Sequence, residues 1–314
     1  MKQSATQLIL ATAIFICAFQ VAIAHVMAQM GPGGGTDTRP CARLRVFDAT
    51  MFSHKPDLSQ HGIEPITMVY AQELWPEKAV TQSLPPQEYV HSAIQSSISH
   101  NASDIIVLDI EQWRLDTEEL QRMNIPKYQA LAKWAKAANP ALQVGYFGMF
   151  PLPDYQRGSK SLGALHYKSW QWENARLMDL GSAVDILFPE AYTPRALTRA
   201  DWVTYAQSVI GEARSFGKPV YVFLWPQFYE TGHAGKPWHY IPADYWNLQL
   251  HTAQRFADGV VIWGGYDPVQ RNLERWNDYA DWWQVTKSFM NELRACREGN
   301  LGNVPNPPEG IHVK

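Results

Sequence analysis

The sequence predicts an α/β fold, a single-domain (β/α)8 TIM-type barrel. Short β-rich runs alternate with helix-like stretches along the chain, and no Ser/Pro/Gly-rich boundary between them is long enough to divide it. A barrel of this type usually takes about 250 residues, which fits a barrel domain over residues 41–300. The competing doubly wound sheet would prefer a glycine-rich nucleotide loop after its first strand, and residues 46–50 contain no glycine.

The predicted strands are short apolar runs, as expected for parallel strands that are buried on both faces. The runs cover residues 43–48, 66–70, 104–111, 142–148, 184–188, 219–225 and 259–264. An eighth strand is expected around residues 86–96. Helical spacing with few breakers is found over 126–138 and 199–216, and Gly217 would cap the second of these helices.

The N-terminal residues 1–28 have the pattern of a secretory signal. Lys2 supplies a positive start, an apolar run covers residues 8–19, and residues 22–24 form an Ala-x-Ala cleavage site. The apolar run is shorter than the roughly 20 residues that span a bilayer. We therefore expect cleavage, no stable membrane insertion afterwards, and a secreted or periplasmic protein.

Two cysteines remain near the ends of the mature chain, Cys41 and Cys296, because Cys17 leaves with the signal. An even pair in an oxidising compartment favours a disulfide over two free thiols. Residues 29–40 are rich in glycine and are interpreted as a flexible linker. Residues 301–314 are interpreted as a C-terminal tail.

Composition and charge narrow the class of protein. With 46% hydrophobic residues and a net charge of −3, the chain is not of the disordered class, and it has no basic excess to neutralise the phosphates of a nucleic acid. In the Gly-rich stretch 158–163 no Lys-Ser/Thr follows the second glycine, as it would in a phosphate-binding loop. His233 and His239 lack a third ligand at metal-site spacing. No cofactor, metal or nucleic-acid partner is predicted.

The candidate chemistry lies where the strands end, because barrel enzymes gather their active sites at the carboxyl ends of the strands. Asp109 and Glu111 are two residues apart on one predicted strand, so they share a face, with Val107 below them. Leu108 would face the helices. Like charges at this range, partly desolvated, should raise one pKa, as a general acid at neutral pH requires. The competing interpretation is a structural pair that is bridged to Arg114.

Aromatic residues accompany these carboxylates at other predicted strand ends. They are Tyr146, Phe147, Tyr192, Trp225, Tyr229 and Trp263, with Glu190 as a third acid. Flat rings with a polar edge suit sugar rings, and lysine is nearly absent from these strand ends. The pattern predicts an acid/base site with aromatic platforms for a polysaccharide or glycan, rather than a phosphate site.

Four of these stretches resemble motifs of the hyaluronidase family of glycoside hydrolases. Residues 109–113 are similar to its Asp-x-Glu-x-Trp signature, and residues 145–151 to its aromatic Gly-Tyr-Tyr-Gly-x-Pro segment. Residues 187–192 are similar to its Leu-x-Pro-Ser-x-Tyr segment, and residues 259–264 to its Gly-Val-Val-x-Trp-Gly strand. The four motifs occur in the family's order.

The resemblance implies a distorted barrel and a substrate-assisted retaining mechanism, in which the 2-acetamido oxygen of the substrate attacks the anomeric carbon. On this resemblance Glu111 would protonate the leaving oxygen and later deprotonate water. Asp109 would hydrogen-bond the acetamide and steady the developing positive charge. Tyr192 would contact the acetamide or the oxocarbenium-like centre, and Trp263 would wall the −1 sugar pocket.

Two departures from the family pattern leave other functions open. Phe147 stands where the family has a tyrosine, and Glu190 stands where it has a small polar residue. The family's basic groove is missing as well, so a neutral glycan, or an acetamido sugar in another polysaccharide, is at least as well supported as hyaluronan. The alternatives are a conventional retaining pair of Glu111 with Glu190 or Glu230, about 5–5.5 Å apart, and a non-catalytic carbohydrate-binding barrel.

Overall fold

Parallel strands surrounded by helices make up the described part of the chain, residues 44–100, 103–229, 239–267 and 270–298 of a computed structural model. These residues belong to one compact unit, Arg39–Lys314. No helix in these ranges is long and apolar enough to cross a membrane. The predicted signal 1–28, linker 29–40, Cys41 and tail 301–314 lie outside the described residues, so the pairing of Cys41 with Cys296 stays a prediction.

The strands are short, and six of the eleven in the described residues lie on or overlap predicted apolar runs. They are β1 (Arg45–Thr50), β2 (Glu64–Pro65), β3 (Thr67–Tyr70), β4 (Ile105–Asp109), β5 (Gln143–Tyr146), β6 (Thr193–Pro194), β7 (Tyr221–Leu224), β8 (Phe228–Tyr229), β9 (Gly259–Gly264), β10 (Tyr266–Asp267) and β11 (Asn272–Leu273). The strands β2-β1-β9-β7 form one parallel sheet, and β3-β4-β5 form a second. The short pair β6-β8 is parallel, and β10-β11 is antiparallel.

The helices lie between these strands in the chain. They are α1 (Ala71–Leu74), α2 (Gln87–His100), α3 (Glu118–Ala138), α4 (Tyr155–Gly158), α5 (Ala164–Ala175), α6 (Met178–Ser182), α7 (Arg199–Arg214), α8 (Ala243–Phe256) and α9 (Asp281–Arg297), with 3-10 turns at Ser59–His61 and Pro76–Lys78. Helix α3 begins eight residues before the predicted start, because the Thr117 hydroxyl caps it by accepting the Leu120 N–H at 3.2 Å. Pro126 lies inside the helix.

The α/β class and the parallel strands are confirmed, whereas eight strand–helix repeats are not found among the described residues. The predicted strand 184–188 is an irregular extended segment between β5 and β7. The Asp185 N–H donates to the Val144 carbonyl at 2.8 Å, and the Leu187 N–H to the Pro219 carbonyl at 2.9 Å. Isolated bridges to both neighbouring strands replace a regular ladder. Pro189 and Pro219 have no N–H to donate, which interrupts the ladder at both.

The eighth strand expected around residues 86–96 is wrong. This stretch forms helix α2 instead, and it follows Pro86, a residue suited to a helix start. Val90 and Ile94 are both fully buried and lie four residues apart, so they form one apolar stripe on the helix.

Side chains along β4 alternate between two apolar layers. Ile105 and Val107 face the side of the sheets away from the helix layer, where they join a buried cluster with Phe47 and Phe188. Leu108 and its neighbours at 106 and 110 belong to the layer between the strands and the helices. The alternation places Asp109 on the interior side at the carboxyl end of β4, as the sequence predicts.

Gly145 on β5 leaves room for the interior cluster, so we expect Gly145→Ala to destabilise the protein. A methyl group there would lie against the Ile186 carbonyl and 2.5 Å from the Phe188 ring. Overpacking of this kind costs about 1–3 kcal/mol. The matched control is Gly211→Ala in α7, where an added methyl meets nothing within 4 Å and should stabilise the helix by about 0.5–1 kcal/mol. Urea unfolding measures both; equal midpoints for Gly145→Ala and wild type would contradict the packing.

Candidate active site

Two adjoining cavities lie at the carboxyl end of the strands, and Glu111 and Phe147 line both of them. The aromatic cavity has a volume of about 230 Å³ and is lined by Met68, Asp109, Glu111, Phe147, Tyr192, Phe223, Trp225, Tyr229 and Trp263. The side cavity, of about 180 Å³, is lined by Glu111, Trp113, Arg114, Leu115, Phe147, Gly148, Met149, Leu152, Pro153 and Glu190. Most of the residues that the sequence singles out are therefore brought together.

The wall of the aromatic cavity is a group of packed rings. The centroids of Trp225 and Trp263 are 4.9 Å apart with an edge-to-face angle of 82°. The Tyr192 ring lies 5.3 Å from Trp225 and 5.7 Å from Phe147. The Trp263 indole N–H donates to the Tyr70 hydroxyl at 3.2 Å. The cavity is thus bounded by flat apolar faces of the kind that pack against sugar rings.

A chain of hydrogen bonds orients Trp225. Its indole N–H donates to Gln227 Oε1 at 2.7 Å, and Gln227 Nε2 donates to Glu274 Oε1 at 3.0 Å. The Tyr240 hydroxyl donates to the other oxygen of Glu274 at 2.6 Å. The network fixes the angle of the Trp225 ring in the wall.

The two carboxyl groups at the end of β4 have different environments. Asp109 is partly buried at the floor of the aromatic cavity, whereas Glu111 is exposed between the two cavities. Burial, with a smaller contribution from the charge of Glu111, raises the pKa of Asp109 to about 7. The raised pKa is therefore that of Asp109, and not that of the residue expected to be the general acid. At neutral pH the Asp109 carboxyl therefore exists in both protonation states.

Glu190 is a third carboxyl group and forms part of the side cavity. The Tyr155 hydroxyl donates to Glu190 Oε1, and the Tyr205 hydroxyl donates to the Glu190 carbonyl at 3.1 Å. Burial raises the pKa of Glu190 to about 7, opposed by the Tyr155 hydrogen bond and assisted by the charges of Glu111 and Asp109. A substantial fraction of the Glu190 carboxyl is therefore protonated at neutral pH.

Arg114 does not bridge the carboxylate pair. Its guanidinium binds the Asp116 carboxylate instead, at 2.6 Å and 3.0 Å. Among the described residues that line the two cavities, Arg114 is the single cationic side chain. The side chains that line the two cavities are mainly acidic or aromatic, and the guanidinium of Arg114 forms its ion pair with Asp116.

The interpretation of Tyr146 as a lining residue is wrong. In the β4-β5 register Tyr146 pairs with Leu108, which faces the helices, so the Tyr146 ring faces them too. The ring is fully buried and its hydroxyl donates to the Tyr128 carbonyl at 2.7 Å. Alternation along β5 leaves the next residue, Phe147, on the cavity side.

Sequence reasoning missed three residues around the site, Met68, Tyr70 and Phe223. Met68 pairs with Val107 in the β3-β4 register and therefore shares its inward face. Applying two-residue alternation to the predicted strand 66–70 would have identified it. Phe223 lies on the predicted strand 219–225 two residues before Trp225, and it lines the cavity for the same reason.

Two of the residues that the sequence singles out, Glu230 and His233, lie outside the described residues, so a role for Glu230 stays a prediction. Trp225 and Tyr229 line the aromatic cavity as expected. In the ranges that the structure covers, no group of three or more His, Cys, Asp or Glu side chains is placed to hold a metal ion.

The fold is similar to that of bee venom hyaluronidase. A crystal structure of that protein matches with 15% identity over 81% of this chain and 99% of that one, with a TM-score of 0.53. The structure of bee venom hyaluronidase in complex with a hyaluronic acid tetramer matches with 15% identity over 80% of this chain and 96% of that one, with a TM-score of 0.51. An endo-β-1,4-mannanase double mutant from Cellulomonas fimi matches with 11% identity over 81% of this chain and 72% of that one, with a TM-score of 0.44.

No protein-family model matches the sequence, and no curated protein matches it significantly. The similarity to the hyaluronidase structures is in the fold. The chain therefore shares the fold of these structures, with parallel strands whose carboxyl ends carry the two cavities.

The raised pKa of Asp109 predicts a pH-dependent stability. Because its folded-state pKa of about 7 lies above the usual 3.8, the stability that Asp109 contributes is present below about pH 4 and is lost as the pH rises to about 7. Asp109→Asn stays neutral throughout. Between pH 4 and pH 8 we expect the variant to gain on the order of 2 kcal/mol in unfolding free energy relative to wild type, measured by urea unfolding.

The control for this prediction is Asp57→Asn. The Ser59 N–H and hydroxyl lower the pKa of Asp57, so its contribution has the opposite sign and the variant should gain no stability at high pH. A stability difference between Asp109→Asn and wild type that does not change with pH would contradict the assigned titration.

Proposed function

We propose that the protein is a glycoside hydrolase that cleaves a polysaccharide at a 2-acetamido sugar by substrate-assisted retaining catalysis. The observation that carries the proposal is the position of Glu111 at the boundary between an aromatic-walled cavity and a second cavity, beside an Asp109 carboxyl that holds a proton near neutral pH. The fold shared with bee venom hyaluronidase supports the same class of enzyme.

Glu111 is proposed as the general acid and base. It lines both cavities, so a sugar in each would bring the oxygen that joins them next to its carboxyl. Glu111 would give its proton to that oxygen as the bond to the anomeric carbon breaks, and it would then take a proton from the attacking water.

Asp109 is proposed to act on the acetamide of the sugar in the aromatic cavity. When protonated it can donate a hydrogen bond, and when ionised it favours the positive charge that develops at the anomeric centre. Tyr192, in the same wall and only 7% exposed, would hydrogen-bond the acetamide. Trp263 and Trp225 would pack against the faces of the sugar ring.

The position of Glu190 favours substrate assistance over a conventional nucleophile. A nucleophile must reach the anomeric carbon of the sugar in the aromatic cavity, and Glu190 lines the side cavity. The Tyr155 hydroxyl also occupies one of its oxygens. A pairing of Glu111 with Glu190 or Glu230 is the alternative mechanism.

The charge of the site favours a substrate that is not a polyanion. Asp109, Glu111 and Glu190 would repel the carboxylates of a uronic acid polymer, and Arg114 is engaged with Asp116. Bee venom hyaluronidase has been crystallised with a hyaluronic acid tetramer, whereas we propose a neutral acetamido polysaccharide for this chain. The predicted signal at residues 1–28 would deliver the enzyme to a secreted or periplasmic location.

Hydrolysis of a panel of 4-nitrophenyl sugars, chitin oligosaccharides and hyaluronan tests the proposal. We expect cleavage of 2-acetamido substrates and not of plain glucosides, because only the former carry the internal nucleophile. Glu111→Gln should lower kcat by about 10²–10⁴-fold. The control Glu119→Gln, an exposed residue on α3, should retain full activity. Equal rates on plain glucosides would refute substrate assistance, and glycan binding without any cleavage would favour a non-catalytic barrel.

A second comparison separates the two mechanisms. If the acetamide is the nucleophile, Glu190→Gln should change kcat by less than about tenfold, while Asp109→Asn should lower it by about 10²-fold or more. The measurement is kcat on the best 2-acetamido substrate, with and without added azide. Loss of turnover in Glu190→Gln with recovery by azide would identify Glu190 as a conventional nucleophile.

A further inference from the structure

The backbone that carries Glu111 is held by side chains. We call residues 110–115, which follow β4 directly, the acid loop. In the described chain no carbonyl of the acid loop accepts a backbone hydrogen bond. Side-chain donors reach the carbonyls of residues 110, 112, 113, 114 and 115 instead. The geometry of Glu111 is thus set by contacts from elsewhere in the fold.

Most of these donors project from one face of helix α3. Gln121, Asn124 and Tyr128 are spaced i, i+3 and i+7, so they form a single stripe. Gln121 Nε2 donates to the Leu115 carbonyl at 2.8 Å, and Asn124 Nδ2 donates to the Arg114 carbonyl at 2.8 Å. All three residues are buried. Burying polar side chains in the core costs free energy unless each of them forms a hydrogen bond. Here the carbonyl groups of the acid loop accept those hydrogen bonds.

Tyr128 contacts the loop closest to Glu111. Its hydroxyl lies 2.7 Å from the Ile110 carbonyl and 2.9 Å from the Trp113 carbonyl, which flank Glu111 on both sides. The ring is fully buried between Trp113 and Tyr146, at centroid distances of 5.2 Å and 4.9 Å. One rigid hydroxyl therefore sets the separation of the two peptide groups between which Glu111 lies.

A second contact holds the loop from the solvent side. Gln82 Nε2 donates to the Gln112 carbonyl at 3.2 Å. Lys127 Nζ donates to the Gln82 carbonyl at 2.7 Å and to Asn124 Oδ1 at 2.8 Å, and lies 5.7 Å from the Trp113 ring. The segment around Gln82 is thereby tied to helix α3 and to the acid loop together.

We propose that Tyr128 is a positioning residue for the proposed acid Glu111, and that Gln82 assists it. Neither residue lines a cavity. They act by fixing the peptide groups of the acid loop so that the Glu111 carboxyl stays at the boundary of the two cavities. As a catalytic role this inference rests on the proposed function, whereas the ordering of the loop stands independently of it.

The test compares Tyr128→Phe with Tyr146→Phe. Each variant removes one buried hydroxyl from the same layer, but the Tyr146 hydroxyl donates to a carbonyl of helix α3 and not to the acid loop. Misplacement of a catalytic group by about 1 Å can cost 10²-fold in rate. We expect Tyr128→Phe to lower kcat on 2-acetamido substrates by about 10–100-fold with KM within about twofold, and Tyr146→Phe to retain kcat.

Hydrogen exchange of the amides at 111–115 supplies a readout that needs no activity. Exchange there should accelerate about tenfold or more in Tyr128→Phe relative to wild type and Tyr146→Phe. Gln82 lies on an exposed segment, so Gln82→Ala tests the acid loop without a change to the core. This variant should accelerate amide exchange less than Tyr128→Phe does, and it should lower kcat by about two- to fivefold.

The outcomes distinguish this proposal from the proposed function. Equal loop exchange in all variants and wild type, or equal losses of kcat in Tyr128→Phe and Tyr146→Phe, would overturn the role of Tyr128. If wild type cleaves no substrate while the loop still loosens only in Tyr128→Phe and Gln82→Ala, the proposed function fails and the ordering of the loop by these residues stands.

Discussion

Strand β4 is buried on both faces, and this constraint organises the rest of the structure. Its apolar side chains alternate between the buried cluster around Phe47 and Phe188 and the layer between the strands and the helices. A shift by one residue would send Asp109 into the apolar helix layer. The order of Ile105, Val107 and Asp109 on one face therefore decides where the acid lies. The parallel register with β3 and β5 then aligns Tyr70 with Asp109 and brings Phe147 alongside it.

Two-residue periodicity explains which parts of the fold were predictable. Strands β3, β4, β5, β7 and β9 lie within predicted runs and β1 overlaps one, because apolar residues on both faces leave few alternatives. The stretch 86–96 was misassigned since Val90 and Ile94 follow the helical period rather than that of a strand. Residues 184–188 are apolar enough for a strand, but a proline follows them and another starts the neighbouring run, and a ladder needs donors. Tyr146 was misplaced because its type suggested a sugar platform, while its position beside Leu108 sends it outward.

The site combines charges that repel one another with little cationic compensation. Burial, with a smaller contribution from the charge of Glu111, raises the pKa of both Asp109 and Glu190 to about 7. Ionising either one in the folded state therefore costs stability. A purely structural site would place arginine or lysine beside such groups. Here Arg114 binds Asp116 at the rim, and Glu190 receives a hydrogen bond from a neutral tyrosine. Acids with raised pKa values and no cationic partner, lining two adjoining cavities, are a pattern found at functional sites.

Asp109 and Glu111 are held in different ways, because β4 ends at Asp109 and not at Glu111 as the predicted strand does. Asp109 is the last residue of β4, so the ladder to β3 fixes its backbone. Glu111 lies beyond the strand, where the ladder has ended and the peptide groups would otherwise bind water. Local patterning contains no signal for such a loop, because its partners are 6 to 18 residues away on α3, or some 30 residues away in the case of Gln82. The polar stripe Gln121, Asn124 and Tyr128 is visible in the sequence only as an interruption of an apolar helix face. The role of these three side chains follows only from the tertiary fold, which packs helix α3 against the acid loop.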